Sequence, residues 1–131
     1  MKKILSFIFF LMPILCFAQA HLGDSYSSLQ ARYPDIELQM EFTDEGRPYT
    51  MIDHLLGTFI YYFDSETYLT DLCVQVPNDM QDLNTQIEIY NNKYVVLSEN
   101  NWKAYLEGGG KMNIELIYNE EYETYLFYYT Y

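Results

Sequence analysis

Residues 94–131 read YVVLSENNWKAYLEGGGKMNIELIYNEEYETYLFYYTY, and the alternation in this stretch decides the fold class. Trp102, Ala104 and Leu106 alternate with Lys103, Tyr105 and Glu107. Met112, Ile114, Leu116 and Tyr118 alternate with Asn113 and Glu115, and Tyr125, Phe127, Tyr129 and Tyr131 share one side of the last run. A period of two marks strands with one dry and one wet face. The runs are separated by Glu99-Asn100-Asn101, Gly108-Gly109-Gly110 and Asn119-Glu120-Glu121, all turn-forming. Strands joined by such short turns run antiparallel. The triple glycine is not a phosphate loop, since it sits between strands and no lysine with Ser or Thr follows it in the required spacing.

Working back, Pro77-Asn78-Asp79 opens a helix, with Asn78 as its cap and Gln81 completing a capping box. Met80, Leu83, Ile87, Tyr90 and Tyr94 form its apolar stripe. The first half follows a similar plan. A short helix capped by Asp24 or Ser25 carries Tyr26, Leu29 and Tyr33 and stops at Pro34. Ile36, Leu38, Met40 and Phe42 alternate with Glu37, Gln39 and Glu41 and read as a strand, closed by the Asp44-Glu45-Gly46 turn. Strands at Tyr49–Asp53, Phe59–Asp64 and Tyr68–Val76 follow, with Leu72, Val74 and Val76 on one face and a loop at Asp64-Ser65-Glu66-Thr67. The expected fold class is α+β, an antiparallel sheet with two helices on one face, in the order α-β-β-β-β-α-β-β-β-β. Its other face is expected to be polar and to meet solvent.

The chain opens with Met1-Lys2-Lys3, an apolar run from Ile4 to Phe17 broken by Pro13, and Ala18-Gln19-Ala20. This is the grammar of a signal peptide over residues 1–20, with cleavage between Ala20 and His21. The rival is lipidation at Cys16, but Leu15 stands where a small residue belongs. Residues 21–131 are then a single domain, periplasmic or extracellular, without a second membrane segment. The whole chain carries a net charge of −12, which becomes −14 without Lys2 and Lys3. Such a surface repels nucleic acid and anionic lipid. It suits solubility, or attraction to a basic partner or to cations. Cys73 is the lone cysteine after the leader, so no internal disulfide supports the fold.

The Leu22-Gly23-Asp24-Ser25 opening followed by Leu29, together with the doubled helix-plus-meander plan, resembles the beta-lactamase-inhibitor-protein-like and PepSY-like families of small exported bacterial domains. The stretch from Trp102-Lys103-Ala104-Tyr105 through Ile114-Glu115-Leu116 to the aromatic end is similar to small periplasmic proteins. The resemblance implies a domain that binds or regulates proteins and is not an enzyme. The paired cysteines of the inhibitor proteins are missing, so lactamase inhibition is not implied.

No residue constellation meets a catalytic or metal-binding pattern, and no cofactor is expected. After cleavage, His21 would offer an α-amino group and an imidazole, the chelate of copper-dependent oxidative enzymes, with His54 as the second histidine; the plainer reading is a frayed terminus. Asp64, Glu66 and Asp71 bracket one hairpin and suit either a weak calcium ion or turn stabilisation. No Gly-x-Ser-x-Gly elbow accompanies the histidines. The more informative feature is tyrosine, fifteen in all. With Phe59, Tyr61 and Phe63 on the dry face, alternation turns Tyr62 outward, and likewise Tyr105 and Tyr128. Tyrosine adds contact area at low entropic cost, so these three form the candidate binding surface. A protein partner is the first expectation and a glycan stacked on the same rings the second. The competing reading is that cross-strand tyrosines merely stabilise the sheet.

Overall fold

The computed structural model describes residues 21–106 and 110–131. The expected signal peptide, Cys16, Glu107 and the Gly108-Gly109 part of the glycine turn lie outside the described residues. Two helices, α1 (Tyr26–Arg32) and α2 (Met80–Lys93), accompany eight strands among the described residues. In chain order these are β1 (Glu41–Phe42), β2 (Pro48–His54), β3 (Gly57–Phe63), β4 (Thr70–Pro77), β5 (Val95–Ser98), β6 (Asn101–Tyr105), β7 (Lys111–Asn119) and β8 (Thr124–Thr130). The α+β class and the element order are those expected.

All eight strands join in one antiparallel sheet, ordered β1-β2-β3-β4-β8-β7-β6-β5. Each half is a helix followed by a four-stranded meander. The halves meet where the last strand of one pairs with the last strand of the other, Cys73 opposite Tyr129 and Gln75 opposite Phe127. Both helices cover the same face. Tyr26 packs on Phe63, and Tyr90 makes edge contacts with Trp102, Phe127 and Tyr129. The register carries Phe59, Tyr61, Cys73, Ile114 and Leu116 to this face, where they form the main core.

Ser25 caps α1 by accepting from the Ser28 amide. Asp79, not Asn78, caps α2, accepting from the Asp82 amide at 2.8 Å. Asn78 instead donates to the Asp82 carboxylate and the Leu55 carbonyl. The buried side of α2 is Leu83, Gln86 and Tyr90, whereas Met80 is 60% exposed, so the expected stripe is rotated.

The expected strand from Ile36 reduces to Glu41–Phe42. Side chains take the place of ladder partners in the segment before it. Gln30 donates to the Ile36 carbonyl and accepts from the Leu38 amide, Tyr26 donates to the Leu38 carbonyl, and Thr50 donates to the Gln39 carbonyl. Gly57 opens β3 with φ +147°, and a Cβ there would strike the Val76 carbonyl. No other residue type fits that approach of β3 to β4.

Candidate functional site

The helix-free face of the sheet is not uniformly polar, which corrects the expectation of a wet face. Tyr62 pairs with Leu72, Ile60 with Val74 and Thr58 with Val76, so cross-strand partners put an aliphatic floor on the side away from the helices. Tyr128 stands opposite Val74 across the junction of the two halves. Although neither of the described helices covers them, Val74 is only 7% exposed and Leu126 only 5%. These strands are apolar on both faces, as the unbroken runs Phe59–Phe63 and Leu72–Val74 permit.

The floor lies in a hollow of about 610 Å³, lined by Ile60, Val74, Leu126 and the rings of Tyr62, Tyr122 and Tyr128. Asn119 and Thr124 supply polar atoms at its margin. Tyr122 arrives on the β7–β8 turn, which is held by the Tyr122 amide donating to the Asn119 carboxamide at 2.9 Å. It is 69% exposed. Burial raises the pKa of Tyr62, with smaller contributions from Tyr128, which raises it, Arg47, which lowers it, and Tyr122, which raises it. Arg47 lies over the Tyr62 ring, 5.4 Å from its centroid, and is paired with Asp71. The Tyr49 ring is 5.8 Å from that of Tyr62. A smaller hollow of about 340 Å³ shares Tyr128 and is lined also by Leu97, Asn101, Asn113 and Glu115.

Of the three tyrosines singled out in the sequence, the structure brings together Tyr62 and Tyr128. Tyr105 shares their face but sits outside the lining of both hollows, 63% exposed, with Lys111 over its ring at 5.6 Å. Tyr122 was not picked out, because a turn residue has no period to betray its direction.

The titratable candidates have other occupations. Asp64 accepts from the Glu66 and Thr67 amides at 2.8 and 2.9 Å, and these bonds hold its carboxyl below the usual range. Asp71 is paired with Arg47. His21 packs edge-on against Tyr33 and His54 against Phe59. Burial, with Arg32 adding to it, lowers the His21 pKa to about 4. Cys73 is wholly buried, and that burial pushes its thiol well above the ordinary range. Among the described residues no three His, Cys, Asp or Glu side chains converge on a metal position. No helix among them is long and apolar enough to cross a membrane.

Comparison with protein-family models, with curated proteins and with solved structures finds no significant match to this chain.

Proposed function

We propose that this is an exported, non-enzymatic domain that binds another protein through the helix-free face of its sheet, with Tyr62, Tyr122 and Tyr128 as the contact rings. The observation that carries this reading is the apolar hollow of about 610 Å³ on a face no element of the described chain covers. Contiguous apolar surface costs free energy in water and on soluble proteins commonly marks an interaction site. Tyrosine around an aliphatic floor matches the composition of interface cores. The resemblance to protein-binding exported domains points the same way.

A glycan would be favoured by a groove of convergent amides and carboxylates. The aliphatic floor between Tyr62 and Tyr128 offers a sugar few hydroxyl partners, so the protein reading stands ahead of it.

The test is affinity capture from the native envelope with the wild type and with Tyr62→Ala, Tyr128→Ala and Tyr105→Ala, each also measured for thermal stability. A binding role predicts that a partner retained by the wild type and by Tyr105→Ala is lost with Tyr128→Ala. The affinity loss should correspond to about 2 kcal/mol or more, against a stability loss of about 0.2–1 kcal/mol for a cross-strand pair. Unchanged capture by all three variants, with lowered stability, would reduce the tyrosines to scaffold.

A further inference from the structure

One row of cross-strand neighbours runs through the site and changes character as it goes. Met51 pairs with Ile60, Ile60 with Val74, Val74 with Tyr128, Tyr128 with Glu115 and Glu115 with Asn101. The row is aliphatic in the first half of the molecule, aromatic at the junction and acidic, then amide-bearing, in the second. Strands are spaced about 4.8 Å apart, so Val74 and Glu115 are about 10 Å apart along the row. The turn beside the larger hollow adds Glu120, Glu121 and Glu123 around Tyr122, all exposed. The one ion-paired guanidinium near the hollow, Arg47, is already matched by Asp71. Lys103 and Lys111 share this face on β6 and β7, so the four carboxylates of Glu115, Glu120, Glu121 and Glu123 leave the second-half side of the apolar seat with a net negative charge that these two lysines only partly offset.

We infer that the occupant of the hollow is a basic, apolar segment of the partner protein. It lies in extended form across the strands, one large apolar side chain seated over Val74 between Tyr62 and Tyr128, and a lysine or arginine reaches Glu115. This rests on the binding-face reading above and adds the chemistry of the ligand. An extended chain advances about 3.3 Å per residue and alternates its side chains, so a cation two or four residues from the apolar residue faces the sheet with it and spans the gap of about 10 Å. A second copy of this chain is disfavoured as occupant, because each copy carries the same large negative charge.

The probes are three fluorescein-labelled octapeptides sharing a Phe-Leu pair, with two lysines, two serines or two glutamates four residues on from it, titrated into the full exported protein by fluorescence anisotropy. The lysine peptide is expected to bind about ten-fold or more tighter than the serine peptide and to weaken as salt shortens the Debye length below about 10 Å. The glutamate peptide should bind weakest. Glu115→Gln should shrink the lysine preference, while Leu126→Asn should weaken all three peptides. Equal binding of the lysine and serine peptides at every salt concentration would overturn the charge assignment. Failure of all three, alongside envelope capture that still depends on Tyr128, would remove the basic peptide and leave the binding face standing. Failure of both would remove the binding face as well.

Discussion

At the scale of single residues, the core contains a polar network that hydrophobic patterning does not announce. The Tyr129 hydroxyl donates to Gln75 at 2.6 Å, Gln75 donates to Gln86 at 2.8 Å, Gln86 donates to the Tyr90 hydroxyl at 2.5 Å, and the Tyr90 and Tyr129 hydroxyls bond each other. Burial raises the pKa of both tyrosines, so they remain neutral donors and acceptors. Such a closed set ties α2 to the β4–β8 junction in one register. Tyr129→Phe strands the Gln75 oxygen and should cost about 1–3 kcal/mol, read as a lower urea midpoint at unchanged slope. A variant as stable as the wild type would show that the network contributes nothing net. The sequence marked Tyr90 and Tyr129 as core-facing, but a glutamine amid apolar neighbours carries no sign that its partner is another glutamine eleven residues away.

His21 supplies a second residue-scale test. Its folded pKa, about 4, lies below the unfolded value of 6.5, because burial and Arg32, with a smaller push from His54, outweigh the attraction of Asp24. The unfolded chain therefore binds the proton first. Stability should fall as pH drops from about 6.5 toward 4, and above that window the group has no effect. His21→Gln should flatten this part of the stability profile. An equal slope in the variant would mean that His21 is as hydrated in the folded state as in the unfolded one. Asp64 titrates with the same sense in a lower window: its folded pKa is also lowered, so its stabilisation is lost as pH falls below the ordinary value of 3.8, beneath the histidine window.

At the scale of elements, the meanders were legible because strict alternation between turn signals leaves few alternatives. The segment after Pro34 was not. Its alternation is real, and Leu38 is buried, but Gln30, Tyr26 and Thr50 satisfy its backbone before a strand partner can. Helix α2 was legible in extent and misjudged in phase at its first turn. Leu83→Asp buries a charge without a partner and should abolish cooperative unfolding, since the penalty is comparable to the ~5–15 kcal/mol that holds a domain together. Met80→Asp sits on the exposed side and should leave the thermal midpoint nearly unchanged. If the two variants behaved alike, α2 would not pack in the observed phase.

At the scale of the whole molecule, the doubled plan was visible in the sequence, but the joining of the two meanders through their last strands was not. Pairing between β4 and β8 depends on residues more than fifty positions apart, and no local period encodes it. That junction makes the site: it brings Leu72, Val74 and Val76 of one half beside Leu126 and Tyr128 of the other. The apolar runs Phe59–Phe63 and Leu72–Val74 did carry a signal of strands dry on both sides. Alternation alone turned Tyr62 and Tyr128 to the right face while implying that the rest of that face was wet.

The proposed seat of the partner is this face, around Tyr62, Tyr122 and Tyr128. Hydroxyl-radical footprinting read at individual tyrosines separates the possibilities, since tyrosines stand on both faces of the sheet. With the captured partner bound, Tyr62, Tyr122 and Tyr128 should lose reactivity together. Tyr118 and Tyr125, whose rings meet at 5.0 Å on the helix-bearing face, should react as in the free protein. Protection confined to Tyr118 and Tyr125, with Tyr62, Tyr122 and Tyr128 as reactive as before, would contradict the claim and move the interface to the other side of the sheet.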